Sequence, residues 1–210
     1  MTTPRARRRL TRRTTPNAVA VAPFTVTVDT REQTPWDFAA IPADRAELKK
    51  VGQGEKCPDP VPPDSPSGLP SGAGFLVVPV VVEGLPAGDY SIQGYGARIA
   101  CERKSKADLF GTIGQGRDCF VRELERLNSY DFAAVVVEAE LSEILTDPPR
   151  HTELSPKTIT RSVIAWQQRF PRVHWCFLPG RAAAQVWAYR VLDRYWRDVI
   201  EPELHKEPEK

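Results

Sequence analysis

A carboxylate and an ammonium group stand two residues apart in the segment 100–108, where Glu102 is followed by Lys104. Residues 98–102 have the composition of a short strand. Successive strand side chains alternate faces at ~3.3 Å per residue, so Glu102 and Lys104 point the same way, roughly 6–7 Å apart. A carboxylate binds a hard cation through oxygen, and a nearby lysine balances charge on a phosphate or orients a water. These residue types at this spacing suit metal-dependent phosphodiester hydrolysis.

A second carboxylate is available upstream, in the tripeptide Gly88-Asp89-Tyr90. An isolated Gly-Asp pair is most often part of a turn. Here Asp89 precedes Glu102 by thirteen residues, and the intervening segment contains Gly94 and Gly96. We interpret this segment as a hairpin that returns Asp89 to the side of Glu102. Asp89 is therefore expected to be the second metal ligand.

Three motifs in order resemble the nuclease domain of the XPF family of structure-specific endonucleases. They are Val28-Asp-Thr-Arg-Glu-Gln33, then Gly88-Asp-Tyr90, then Glu102-Arg-Lys-x-x-x-Asp108. This family belongs to the restriction-endonuclease-like, PD-(D/E)XK superfamily, with its Asp…Glu-x-Lys core. The resemblance runs from about residue 25 to about residue 200. Glu-x-Lys alone is common on exposed strands, whereas the three motifs in this order are specific.

The resemblance implies a set of catalytic residues: Asp29, Arg31, Asp89, Glu102, Arg103, Lys104 and Asp108. It implies metal ligation by Asp89 and Glu102, with Asp29 as a third carboxylate, and Mg²⁺ or Mn²⁺ as the ion, since carboxylates favour hard ions over zinc. Each role has a structural alternative. Asp29 and Arg31 could form an ion pair that closes a strand end, and Asp108 could cap a helix.

Basic residues near these motifs are candidates for DNA phosphate contacts. They are Arg31, Arg103, Lys106 and Arg117. Exposed basic side chains are often only solvated, and this alternative stays open for each of them. The resemblance implies branched, flapped or junction DNA as the substrate. No residue pattern shows that preference.

The function expected is that of a metal-dependent DNA endonuclease, with a metal-activated water as the nucleophile. One alternative is a non-catalytic DNA-binding or scaffold subunit, although such proteins generally lose the carboxylates or the lysine that this chain retains. Another is a nuclease of ordinary duplex or single-stranded DNA. XPF-type proteins usually carry a tandem helix-hairpin-helix module, and some carry a helicase. The length leaves room for neither, so we expect a stand-alone form of the kind found in phages or bacteria.

The charge distribution is asymmetric. Residues 1–16 hold six arginines and no acid. Because the formal net charge of the whole chain is +2, the remaining residues together carry about −4. We expect residues 1–22 to be a disordered Arg-rich arm, either one that binds nucleic acid phosphates or a solvated leader. Residues 201–210 are expected to be a polar tail. The Pro- and Gly-rich segment 52–74 is predicted to be an inserted loop of the nuclease domain, residues 23–200.

Composition excludes several other classes of protein. No apolar run approaches the ~20 residues of a membrane span, and no secretory signal is recognisable. The four cysteines are far apart and contain no Cys-x-x-Cys pair, which argues against a zinc site and a disulfide framework. No Gly-rich nucleotide-binding lysine loop occurs, so no nucleotide cofactor is expected. A cytoplasmic location is the default expectation.

The elements that position these motifs follow from periodicity. Alternating or apolar runs predict strands at 24–29, 75–83, 132–138 and 174–178, and helical spacing predicts helices at 109–128, 156–170 and 182–200. The strand, helix and strand from 132 to 178 form a right-handed β-α-β unit with parallel strands. We therefore predict an α/β fold, a restriction-endonuclease-like mixed β-sheet flanked by helices. An aromatic stripe along the last helix is interpreted as core or as the face of a homodimer.

Overall fold

The computed structural model describes residues 19–39, 41–43, 47, 74–150 and 152–206. Residues 1–18 of the Arg-rich arm, residues 52–73 of the inserted loop and residues 207–210 of the C-terminal tail lie outside these residues, so the predictions for those parts are not addressed by the structure. The expected disorder does not extend to residue 22, because Val19–Val21 form a strand. Within the described residues, no helix combines the length and apolar character needed to cross a membrane.

Nine described strands form two sheets. In chain order they are β1 (Val19–Val21), β2 (Val26–Asp29), β3 (Ile41–Pro42), β4 (Phe75–Val77), β5 (Val80–Glu83), β6 (Tyr90–Ile92), β7 (Ile99–Lys104), β8 (Phe132–Val137) and β9 (Val173–Phe177). The larger sheet has the order β5-β2-β6-β7-β8-β9, and the smaller has the order β1-β4-β3. In the larger sheet β6 is antiparallel to both neighbours, and the other neighbouring pairs are parallel. The mixed sheet with a parallel β8–β9 pair agrees with the sequence prediction.

The prediction of a single strand over residues 75–83 is wrong. The segment forms two strands, and β4 belongs to the smaller sheet while β5 lies at the edge of the larger one. Pro79 stands between them and has no N–H to donate to a ladder, although its carbonyl accepts a hydrogen bond from the Val26 N–H at 2.8 Å. The chain therefore passes from one sheet to the other at Pro79.

The described helices are interrupted at positions where the sequence predicted continuous helices. They are α1 (Lys106–Ile113), α2 (Arg117–Leu127), α3 (Leu141–Thr146), α4 (Pro156–Arg169), α5 (Gly180–Tyr195), a π-helical turn (Trp196–Ile200) and α6 (Glu201–Leu204). The single helix predicted over 109–128 is divided into α1 and α2, since Gly114 and Gly116 disfavour a continuous helix there. The start of α4 is as predicted, with Ser155 as N-cap and Pro156 in its first turn.

Two apolar clusters cover the two faces of the larger sheet. On one face, α5 packs Ala188, Tyr189 and Leu192 against residues of β2, β6 and β7. On the other face, helices α1, α2 and α4 pack against the alternate side chains of β7 and β8, such as Ala100 and Val135. Strand β8 is therefore covered on both faces, as its continuous apolar sequence predicted. The alternation of β7 also sends its polar residues, at its carboxyl end, to opposite sides of the sheet.

Candidate active site

A cavity of about 390 Å³ opens at the carboxyl end of β7, between the sheet and helix α2. Its walls come from four parts of the chain: the segment after β2, the turn before β6, strand β7, and the α1–α2 region. The lining residues are Arg31, Gly88, Asp89, Glu102, Lys104, Thr112, Gly116, Cys119, Phe120, Glu123 and Arg126. Four of the seven predicted catalytic residues thus meet in one cavity.

The β6–β7 hairpin places Asp89 at this cavity. The Asp89 N–H donates to the Cys101 carbonyl at 3.0 Å, and the Arg103 N–H donates to Asp89 Oδ2 at 2.7 Å. The preceding residue must be glycine, because Gly88 has φ +79° and a Cβ there would lie 2.8 Å from Ala100 Cβ. This close approach of the turn to β7 brings the Asp89 carboxylate to the side of Glu102.

Glu102 and Lys104 form a buried ion pair on the cavity side of β7. Lys104 Nζ lies 2.6 Å from Glu102 Oε1 and 4.8 Å from the centre of the Phe120 ring. Glu102 is only 7% exposed. Burial raises the pKa of Glu102 above its usual value, with Lys104 opposing the shift. Burial acts to lower the pKa of Lys104, but the Glu102 carboxylate outweighs it, so the lysine stays charged.

Asp89 and Glu102 repel each other when both are ionised. Burial, and then the charge of Glu102, raise the pKa of Asp89 to about 8. A cation between the two carboxylates would relieve this repulsion, and carboxylate oxygens suit Mg²⁺ or Mn²⁺. Among the described residues no three acidic, histidine or cysteine side chains converge on one point. Two carboxylates, with water and substrate phosphate as the other ligands, match the way Mg²⁺ is usually held.

The raised pKa of Asp89 predicts a pH dependence of stability in the cation-free protein. The carboxyl of an unfolded aspartate titrates near pH 4, so between pH 5 and 8 the folded state binds more protons than the unfolded state. The contribution of Asp89 to the free energy of unfolding is fully present at low pH and is lost as the pH rises through 8. We expect the melting temperature in EDTA to fall from pH 5 to pH 8, and to fall less steeply in Asp89→Asn. Equal slopes in the two proteins would contradict this assignment.

Asp29 does not line the cavity. Its buried carboxylate accepts hydrogen bonds from the Arg31 N–H and Nε, both at 2.7 Å, from Arg31 Nη2 at 3.0 Å, and from the Leu85 N–H at 2.6 Å. Burial acts to raise the pKa of Asp29, but these bonds outweigh it and hold the pKa below its usual value. Asp29 thus positions Arg31, whose guanidinium is anchored also on the Leu85 carbonyl and reaches the cavity rim.

Arg103 points to the opposite side of β7 from Glu102 and does not line the cavity. Its guanidinium donates to both carboxylate oxygens of Glu138, at 2.8 and 2.9 Å, and to Thr34 Oγ1 at 2.9 Å. Glu32 lies 3.4 Å away, and the side chains of Arg103, Glu32 and Glu138 are all at most 10% exposed. The structure therefore gives Arg103 an internal role, the attachment of the segment after β2 to the end of β8, rather than the DNA contact expected from the sequence.

Asp108 and Lys106 also lie outside the cavity. The N-cap of α1 is Ser105, whose Oγ accepts from the Asp108 N–H at 3.1 Å and donates to Asp108 Oδ2 at 2.6 Å. The alternative that Asp108 is the N-cap of this helix is therefore wrong, since the N-cap lies three residues earlier. Asp108 does form hydrogen bonds with the N-cap side chain. Lys106 Nζ pairs with Asp147 at 2.8 Å, at the end of α3.

Helix α2 contributes two charged cavity residues that were not among the candidates from the sequence, and it carries one residue, Arg117, that was. Arg117, a candidate DNA contact, donates to Ser162 Oγ at 2.8 Å and lies over the Trp166 ring on α4. Glu123 and Arg126 line the cavity, and they form an ion pair with each other. The amphipathic spacing of α2 could have indicated that Glu123 faces the sheet, since Glu123 stands beside the buried Leu124 and one turn after the buried Phe120.

Comparisons with known proteins identify a matching domain family and similar solved structures. The ERCC4 domain matches residues 66–191 of the chain. Among solved structures, the chain is similar to XPF from Aeropyrum pernix, at 18% identity over 86% of this chain and 68% of that chain, with a TM-score of 0.51. A structure of XPF from Aeropyrum pernix in complex with DNA is similar at 18% identity over 88% and 68% of the two chains, with a TM-score of 0.47. No curated protein matches the chain.

The structural similarity confirms the α/β fold, with mixed β-sheets flanked by helices, that the sequence predicted. The ERCC4 match covers more than half of the chain and includes the Gly-Asp-Tyr and Glu-Arg-Lys motifs that meet at the cavity. The chain therefore belongs to the ERCC4 domain family, a family of nucleases.

Proposed function

We propose that this protein is a Mg²⁺- or Mn²⁺-dependent DNA endonuclease that acts on branched or flapped DNA. The observation that supports it most is the meeting of Asp89, Glu102 and Lys104 in one cavity, with Arg31 at the rim. Two carboxylates suit a divalent ion, and two cationic side chains suit a phosphodiester. The preference for branched DNA rests on the resemblance to XPF-type nucleases.

Each cavity residue has a distinct part in the proposed reaction. Asp89 and Glu102 hold the cation, which when bound lowers the pKa of a water and neutralises charge on the scissile phosphate. Lys104 lies beside Glu102 and is placed to donate to the attacking water or to a phosphate oxygen. Arg31 is fixed by Asp29 and Leu85, so its exposed guanidinium binds a phosphate without first losing conformational freedom.

We also propose that the protein acts as a homodimer through the outer surface of α5. A depression of about 220 Å³ is lined by the apolar side chains of Phe132, Val191, Tyr195 and Val199 and by the ion pair of Arg194 with Asp198. A second depression, of about 420 Å³, shares Phe132 with the first and includes Trp175, Trp187, Gln167 and His174. Neighbouring depressions that expose parts of several aromatic side chains, such as Phe132, Trp175 and Trp187, are typical of association surfaces. Sedimentation of the full chain tests the proposal.

The experiment that tests the proposed activity compares labelled flap, fork, junction, duplex and single-stranded DNA, with Mg²⁺ and with EDTA. We expect cleavage in Mg²⁺ that is fastest on branched substrates and absent in EDTA. Equal cleavage of linear duplex or single strands would favour a nuclease of ordinary DNA. DNA binding without cleavage in either Mg²⁺ or Mn²⁺ would favour a scaffold subunit and would overturn the proposal.

A further inference from the structure

One acid of helix α2 is turned toward the cavity. The Glu123 side chain is 16% exposed, whereas that of Glu125, two residues later, is 50% exposed and pairs with Arg169. Glu123 Oε1 accepts a hydrogen bond from the Gly88 N–H at 2.8 Å. This bond joins α2 to the turn before β6 across 35 positions of sequence.

The Gly88 peptide directly precedes Asp89, the residue proposed to hold the cation. Gly88 is in the left-handed region at φ +79° and stands against Ala100. After it, the Asp89 N–H is bonded to the Cys101 carbonyl, and the Asp89 carboxylate is bonded to the Arg103 N–H. Glu123 supplies the corresponding bond on the other side of the turn. The backbone that carries Asp89 is thus held from the sheet and from the helix.

Two further features indicate that Glu123 holds this peptide rather than binding a cation itself. Its second oxygen, Oε2, is engaged by Arg126 one turn along α2. It also does not complete a group of three cation-binding side chains with Asp89 and Glu102 in the part of the chain that the structure describes. Both of its oxygens already have protein partners.

We propose that Glu123 is a positioning residue that fixes Asp89 for cation binding by accepting the Gly88 N–H. The inference rests on the proposed function, because it concerns the same cation site. Residues that orient a ligand typically change metal affinity by about 10- to 100-fold when they are removed. The essential property of Glu123 is a hydrogen-bond acceptor at Oε1, not its negative charge.

The test is a Mn²⁺ titration of the full chain without DNA, by calorimetry, with nuclease activity as a second readout. Glu123→Ala is expected to weaken Mn²⁺ binding about 10-fold or more. Glu123→Gln is expected to stay within about 3-fold of wild type, because the amide oxygen still accepts from Gly88. Glu125→Ala, which removes an exposed acid of the same helix, is the matched control and should bind like wild type. If Glu123→Ala fails to fold, Glu123→Leu keeps the volume and carries the same expectation.

Two results would overturn the inference alone. One is wild-type Mn²⁺ affinity in the alanine or leucine variant, and the other is equal loss in the glutamine variant, which would make the charge the essential property. Both are interpretable only if Asp89→Asn loses Mn²⁺ binding. If the wild-type protein binds no Mn²⁺, or if Asp89→Asn binds it equally well, the proposed cation site itself is wrong, and the role of Glu123 falls with it.

Discussion

Glu102→Gln is expected to abolish DNA cleavage while DNA binding persists, with a fall in kcat of at least about 10³-fold, or ~4 kcal/mol of activation free energy. Glu102 is 7% exposed and stands at the cavity between Lys104 and the Asp89 hairpin. A neutral amide replaces one of the two carboxylates that we propose hold the cation. The phosphate contact that we propose for Arg31 is not altered by this change, so the affinity for DNA should remain.

The measurement is single-turnover cleavage of a flap substrate in Mg²⁺, with fluorescence anisotropy for binding of the same DNA. Glu125→Gln is the control, since it makes the same chemical change at an exposed acid outside the cavity, and it should cleave like wild type. Full activity in Glu102→Gln would discard the assignment of the site. Loss of both cleavage and binding would mean that Glu102 supports the fold of the cavity instead.

Arg103→Met is expected to lower the free energy of unfolding by about 3–5 kcal/mol, the usual effect of removing one partner of a buried ion pair. The side chains of Glu138 and Glu32 are at most 9% exposed, and Arg103 is the cation that lies between them. Arg181 also reaches Glu138, at 3.3 Å, but its own side chain is 43% exposed. Removing Arg103 therefore leaves buried negative charge with weak compensation.

Urea unfolding followed by tryptophan fluorescence measures this effect. Lys106→Met is the matched control because it removes one positive charge three positions later, from a pair whose partner Asp147 is 80% exposed. It should change the unfolding free energy by less than about 1 kcal/mol. If Arg103→Met is equally mild but weakens DNA binding, Arg103 acts as the phosphate contact that the sequence suggested.

Local patterns were sufficient for the parts of the site that lie on one strand or one hairpin. The two-residue period of β7 placed Glu102 and Lys104 on one side, and the same rule places Arg103 on the other. The hairpin from Asp89 to Glu102 also formed as the turn residues indicated. These inferences succeeded because the relevant contacts depend on backbone geometry over few residues.

Contacts between distant elements could not be predicted in this way. Nothing near Arg103 in the sequence indicates that Glu138 will meet it, because parallel pairing of β7 and β8 brings the two together across 35 positions. The same applies to Glu123 and Gly88. The contact of Arg117 with Ser162 could not be predicted for a related reason, since Ser162 lies on a helix whose packing angle the periodicity does not give. Pairing and packing of separate elements determine these side-chain partners.

The hydrogen bonds around Asp29 change how a mutation there should be interpreted. Its two carboxylate oxygens accept three hydrogen bonds from Arg31 and one from Leu85, and every partner is an N–H donor. An asparagine would turn an amide N–H₂ toward one of those donors, and the guanidinium would lose its fixed orientation at the rim. Loss of the proposed activity in Asp29→Asn would therefore indicate a displaced Arg31 guanidinium, and it would not show that Asp29 is a ligand of the proposed cation.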